Sequence, residues 1–328
     1  MHIPTRKQGN HMVLGDLIRQ SNAKYGAPPT VILRAEKPTG KAPIELFITD
    51  EHTENYLTLK MSGDAERGAM TGLLAGIASP LGLLLSLWMA MEAEWALAAL
   101  SLAIAIPMFL IPFLYEVCRP LPLPILFNRR TREVYVENEG ELFHSPWDEI
   151  QAMACEFQII GPYTGSIGNT SLEIMLHRFF APDNSLMISL GSPIGKTLDM
   201  QKGFWEYIRS YMNNGPWFDK NGNHSESDNF VRAQLSANLN QSQILGHWRQ
   251  TIANKKTTAG GKNYLSGIDS LMLIGHLMFY PSNLIHNFTY NMAQRRSRNR
   301  WPHIVLERLK HNGPTTRLID LENTDAIP

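Results

Sequence analysis

Two long stretches without a charged residue lie side by side in this chain, and they restrict its possible folds more than any other feature. The first runs from Gly68 to Met91; after Glu92, Ala93 and Glu94, the second runs from Trp95 to Tyr115. At a rise of about 1.5 Å per residue, a helix over either stretch is long enough to cross a hydrocarbon core of about 30 Å. The pair predicts a transmembrane helical hairpin over 68–116. Pro80, Pro107 and Pro112 would disturb helices in water but are tolerated within bilayer helices, where neighbouring groups satisfy the freed carbonyls. Gly72, Ala75, Gly76 and Gly82 offer small faces for close helix contact. Lys and Arg set the orientation. None lies in the connecting loop, whereas Lys60 and Arg67 precede the first span and Arg119, Arg129, Arg130 and Arg132 follow the second. Both flanks, and with them both termini, are expected on the cytoplasmic side of the membrane. Trp88, Trp95 and Tyr115 stand near the span ends, where interfacial aromatics sit.

Charge balance narrows the partners. Lys plus Arg equals Asp plus Glu at 30 each, so no overall field favours nucleic acid or an acidic substrate. The two cysteines, Cys118 and Cys155, form neither a disulfide framework nor a zinc set, and two solitary thiols fit a reducing compartment. Residues 1–15 are basic and polar and lack the apolar core of a secretory leader, so export through a cleaved signal is not expected.

The regions flanking the hairpin read as strands. In the N-terminal segment, 1–67, Thr-Val-Ile-Leu-Arg (30–34), Ile-Glu-Leu-Phe-Ile (44–48) and Asn-Tyr-Leu-Thr-Leu-Lys-Met (55–61) are short runs with turn residues between them. After the hairpin, a domain over 120–216 contains strand candidates at 123–128, 133–137, 141–144, 152–160, 172–177 and 186–190, and then an amphipathic helix at about 197–212. Many short strands closed by one helix describe a small curved sheet plugged by a helix, the arrangement of pleckstrin-homology-like domains. The fold class expected is α+β: a transmembrane hairpin, a PH-like sheet with its helix, and a helical tail. A polar stretch at 217–227 marks a linker. The tail, 228–328, begins with a helix capped by Asp228 and running to about Asn254. Residues 268–293 are apolar but carry Asp269, His276, His286 and Pro281, which is too polar for a third span. They precede Arg295, Arg296, Arg298, Arg300 and Trp301, the order an interfacial helix on anionic lipid shows, so these five are candidate contacts with a membrane surface or a partner. Trp147 and Asp148 read as packing and surface residues, with partner docking as the alternative.

Candidate chemistry is sparse. Gly191-Ser-Pro-Ile-Gly-Lys-Thr197 lies between a strand and a helix, as a phosphate-binding loop does, but has one residue too few between its glycines and places Pro193, which has no N–H, inside the cradle. Asp219, Asn221 and Asn223 alternate like calcium ligands without the closing glutamate. No histidine pair has the spacing of a helical zinc motif, and no nucleophile elbow is present. No catalytic residue, cofactor or metal site is predicted.

Three segments carry a resemblance when taken with the hairpin: Phe-Asn-Arg-Arg-Thr-Arg-Glu-Val-Tyr-Val (127–136), Pro-Trp-Asp (146–148) and Phe-Trp-Glu-Tyr-Ile-Arg-Ser-Tyr-Met-Asn-Asn-Gly-Pro (204–216). In order and spacing they resemble an uncharacterised family of proteobacterial membrane proteins with a two-helix hairpin and a PH-like domain, often encoded near type VI secretion loci. The resemblance implies a non-enzymatic accessory or immunity protein of the bacterial inner membrane that binds an effector or a secretion component. The lipid bilayer and a second copy of the chain are further expected partners. Alternative expectations are a membrane-acting effector or toxin whose hairpin inserts into a target bilayer, and a membrane-tethered hydrolase.

Overall fold

The computed structural model describes residues 8–61, 67–161, 165–236, 241–260, 267–297 and 299–325. It divides into two compact units, one made of Met1–Ala65, Pro122–Ala237 and Arg300–Pro328, the other of Glu66–Leu121 and Asn238–Asn299.

The first unit is built on an antiparallel sheet that curls into a half-barrel. Its strands are β1 (Val31–Arg34), β2 (Thr49–His52), β3 (Tyr56–Leu59), β4 (Ile125–Asn128), β5 (Glu133–Asn138), β6 (Glu141–Pro146), β7 (Gln151–Gly161), β8 (Gly165–Arg178) and β9 (Ala181–Ser189). The order is β1-β7-β8-β6-β5-β4-β3-β2, with β9 added on β8. β3 and β4 are neighbours in space, with Tyr56 opposite Asn128 and Leu59 opposite Ile125, although the whole hairpin lies between them in sequence. The strands from before and after the hairpin thus form one sheet.

Residue alternation gives the sheet two apolar faces. On the inner face Leu57, Leu59, Ile125, Phe127, Val134, Val136, Phe143, Ala152, Ala154, Leu172, Ile174 and Leu176 form the main core. Helix α5 (Leu198–Asn214) fills the curl with Phe204, Trp205, Tyr207, Ile208, Tyr211 and Met212. Thr197 starts that helix by accepting the Met200 N–H at 3.3 Å, and Gly215, at φ 123°, ends it. The outer face is covered as well. Helix α1 (Gln8–Tyr25), within the segment expected to be strand-rich, brings Tyr25 against Met153, Cys155 and Met175. Near the other end of the chain, α9 (His303–Leu309) and α10 (Leu318–Asp325) cover Leu126, Tyr135 and Leu142 with Val305 and Leu318.

Residues 44–48, which read as a strand, form none. The Glu45 carboxylate accepts the backbone N–H groups of Phe47, Ile48 and Thr49 at 2.7–2.9 Å, removing donors that a ladder would need. Phe47 turns to φ 63° and the strand starts only at Thr49. The polar stretch after Gly215 is ordered rather than a free linker: Phe218 bridges His224, and Asp219 Oδ1 accepts from Asn221 N and Asn223 N, both at 2.9 Å. The helix expected over 228–254 appears as α6 (Asn229–Ser236) and α7 (Gln241–Thr258), with 237–240 outside the described residues.

The second unit contains the hairpin. Its first arm is α2 (Ala69–Leu73), a π turn at Leu74–Ala78 and α3 (Ser79–Met91); its second is α4 (Trp95–Cys118). The π turn sits just before Pro80, whose missing N–H leaves the Gly76 carbonyl without its usual partner. Both arms are long and apolar enough to cross a membrane, and only 19% and 17% of an 18-residue apolar stretch in each is buried. The base of the hairpin is locked by Glu116. Its carboxylate accepts the N–H groups of Gly68 and Thr71 at 2.9 Å, together with the Thr71 hydroxyl, and so neutralises the start of α2. Arg67 donates back to the carbonyls of Glu116, Arg119 and Pro120, closing the end of α4.

A third helix, α8 (Gly267–Arg296), packs on the first arm through the small residues. A Cβ on Gly76 would lie 2.3 Å from the Ser282 Cα, one on Gly72 would lie 2.7 Å from the Ser282 carbonyl oxygen, and one on Gly82 would lie 2.9 Å from the Ala105 Cβ of α4. Phe288 of α8 stacks on Phe113 of α4 at 6.1 Å. The segment 268–293 is therefore a partner helix of the hairpin, and Gly72 and Gly76 are the notch that admits it.

Two outcomes follow from this packing. Gly76→Val drives a side chain into the α8 backbone and should destabilise the detergent-solubilised protein by about 1–3 kcal/mol in thermal melts, whereas Gly82→Ala, which meets one methyl group, should cost less. In the core of the first unit, His52 lies between the Tyr207 hydroxyl at 2.9 Å and the Pro216 carbonyl at 2.7 Å, stacked on Trp217 at 5.3 Å. Burial pulls its imidazole down to about 4, against a smaller upward pull from the Pro216 carbonyl. Between there and the ordinary histidine value the unfolded chain binds the extra proton, so stability should fall as pH drops through that window, by at most on the order of 3 kcal/mol. Acid titration of the melting temperature should show this loss, and His52→Gln should flatten it.

Candidate functional site

Polar side chains crowd one part of the outer face, where sequence alternation alone would place them in water. Glu133 and Tyr135 of β5, His144 of β6 and His177 of β8 all point outward, on the opposite side from Val134, Phe143 and Leu176. His144 stands directly opposite His177 in the ladder, with ring centroids 4.3 Å apart. Helix α10 closes over them and inserts Glu322. Its carboxylate lies 3.2 Å from His144 Nε2 and 3.3 Å from His177 Nε2, and it also accepts the Phe180 N–H at 2.7 Å.

Glu133 organises the other side of His144. Its carboxylate lies 3.5 Å from His144 Nδ1, accepts the Tyr135 hydroxyl at 2.7 Å, and accepts the N–H groups of Leu318 and Ile319 at 2.9 and 3.2 Å. A residue on the sheet therefore caps the helix that carries Glu322. Burial alone would raise the Glu133 pKa, but contacts with His144, Tyr135 and the Leu318 N–H outweigh it and hold the carboxyl below its usual range. Burial raises the Tyr135 phenol, helped by the Glu133 charge, so it stays a neutral donor. His177 is lowered by burial first and by neighbouring His144 second, which favours the neutral ring.

The set His144, His177 and Glu322 offers ligand atoms that all lie within 4.8 Å of one another, so these are residues that could hold a metal ion. None was singled out in the sequence, because the three are far apart in the chain and lie on three different elements. The only local trace is the odd-even placement of polar residues on strands whose other face is apolar.

The residues that were singled out are dispersed. Arg295 and Arg296 are exposed at the end of α8, Arg298 lies outside the described residues, and Arg300 is exposed. Trp301 is half-buried against the Leu126–Tyr135 cluster, so its ring is spent on packing. Arg295 and Arg296 belong to one compact unit, Arg300 and Trp301 to the other. Trp147 is fully buried, 5.2 Å from the Trp205 ring, with its Nε1 donating to Asn213 at 2.8 Å. It is a core residue, and partner docking through it is excluded by burial. Asp148 pairs with Arg132 at 2.6 Å. In the 191–197 loop, the Lys196 N–H is bonded to the Pro193 carbonyl and the Gly195 N–H to Asn169, so two amides that a phosphate would use are taken. The Lys196 ammonium is pulled down by burial and partly restored by Glu45. The side chain of His276 lies outside the described set.

Tyr135→Phe removes one of the donors that keep Glu133 charged and should lower stability by about 1.5–3 kcal/mol in chemical denaturation. Comparison of the chain with known proteins gave no matching family model, no matching curated protein and no matching solved structure.

Proposed function

We propose that the chain is a non-enzymatic binding protein of the bacterial inner membrane, anchored by its hairpin, with a pleckstrin-homology-like unit on the cytoplasmic side that engages a protein partner. The carrying observation is the lateral surface of the hairpin. Leu81, Leu84, Leu87 and Ile111 are each more than 60% exposed, and Trp88 is 57% exposed. Contiguous apolar surface of that extent is costly in water and suits hydrocarbon. The lock formed by Glu116 and Arg67 holds these two charged groups at the base of the hairpin, buried and hydrogen-bonded away from the apolar lateral surface.

The pairing of β3 with β4 supports a common side for both flanks, since a segment inserted between adjacent antiparallel strands leaves and returns at the same end of the sheet. The basic residues flanking the hairpin make that side the cytoplasm. The PH-like reading is supported by the curled sheet and the helix α5 packed into it. The class of partner, a type VI effector or a secretion component, rests on the resemblance carried by residues 127–136, 146–148 and 204–216. Exposed Arg295, Arg296 and Arg300 then suit anionic headgroups or an acidic partner surface.

Alkaline phosphatase fused at Glu92 should be active and fused at Asp148 inactive; the opposite pattern would overturn the orientation. The chain should stay with membranes in alkaline carbonate and be released by detergent. For the partner, co-expression with a neighbouring effector gene should rescue growth and the two products should co-purify in detergent. Growth arrest and depolarisation by this chain alone would instead identify a membrane-acting toxin.

A further inference from the structure

We propose that His144, His177 and Glu322 form a binding site for one divalent cation of the zinc type, which fastens helix α10 to strands β6 and β8. The argument starts with hydrogen-bond accounting. A neutral imidazole has one N–H and one lone pair. His144 Nδ1 is buried 3.5 Å from Glu133 without forming a hydrogen bond; where it carries the proton of the ring, Nε2 presents a lone pair to the Glu322 oxygen at 3.2 Å. Two electron pairs cannot face each other at that distance in a site where the His144 ring is fully buried unless a cation lies with them. His177 Nε2, 3.3 Å from the other Glu322 oxygen, donates there in one tautomer and in the other presents a second lone pair. A divalent ion takes both lone pairs and the carboxylate as ligands.

The donor set fits. Two imidazole nitrogens and a carboxylate are a recurrent zinc set, with bonds of about 2.0–2.2 Å and room for a further small ligand. Donors about 2.0–2.2 Å from one ion lie at most about 4.4 Å apart, so ligand atoms within 4.8 Å of one another reach it by an inward rotation of a ring. His177 is the ring with freedom to make that rotation, being 19% exposed where His144 is 0%. The surroundings fit as well. Glu133 behind His144 Nδ1 is the carboxylate that commonly fixes the tautomer and orientation of a metal-bound histidine. It is itself held by Tyr135 and by the α10 backbone. The ligands come from two strands and the last described helix, so a bound ion would tie the end of the chain to the sheet.

The test uses the full chain in detergent, stripped with a chelator and titrated with Zn²⁺. One equivalent should bind and raise the melting temperature. Co²⁺ in its place should give the intense visible absorption of a low-coordinate site containing nitrogen ligands. His177→Ala and Glu322→Gln, both at partly exposed positions, should abolish stoichiometric binding and the cobalt signal while melting like the stripped parent. Glu133→Gln should weaken binding about 10- to 100-fold. His303→Ala, on a well-exposed ring, should leave binding unchanged. Failure of the stripped parent to take up Zn²⁺, or uptake unaltered in both ligand variants, would overturn the proposal.

Discussion

Everything in the first unit depends on the pairing of β3 with β4. These two four-residue strands lie side by side in the sheet while the entire hairpin separates them in sequence. Because the ladder is antiparallel, the chain must leave β3 and re-enter β4 at one end of the sheet. An inserted element of that kind has to return to where it began, and a helical hairpin is the simplest way to do so. The short turn at Glu92–Glu94 and the lock at Glu116 meet that demand within the second unit. The geometry of the sheet thus constrains the insertion more strictly than the helices do by themselves.

Buried carboxylates recur as the local device that holds distant segments together. Glu116 caps α2 from the far end of α4, Glu133 caps α10 from the sheet, and Glu45 collects three amides of its own loop. In each case a carboxyl group accepts from backbone donors that would otherwise lack a partner. Burial makes the arrangement exacting. Removing the acid would leave several N–H groups without partners at once. This is why the segment after Arg300 can cover the outer face of the sheet despite having only two short helices of its own.

Much of the architecture was legible in particular residues. The period-two patterns at 133–137 and 141–144 and the helical spacing of Phe204, Trp205, Ile208 and Tyr211 reported β5, β6 and α5, because each buries a continuous apolar face. Gly72, Gly76 and Gly82 reported close helix contact. Their partners were hidden: Gly82 meets Ala105 within the hairpin, but Gly72 and Gly76 meet Ser282, far along the chain on a helix whose polar residues argued against a third span. Helix α1 was not legible, and α10 only as part of a helical tail, since polar segments carry little periodicity and are fixed by contacts such as Tyr25 with Glu173 and Glu133 with Leu318.

The sequence by itself determined the two apolar arms, the strand-rich character of their flanks and the helix that closes the sheet. Those properties follow from hydrophobic period and length, which are local. Only the tertiary structure decided which strands adjoin across the insertion, that Trp147 is core and no docking residue, and that His144, His177, Glu133 and Glu322 meet under α10. Polar residues on the second face of a strand look solvated in a sequence; whether another segment covers them depends on contacts far along the chain, and local pattern does not encode those.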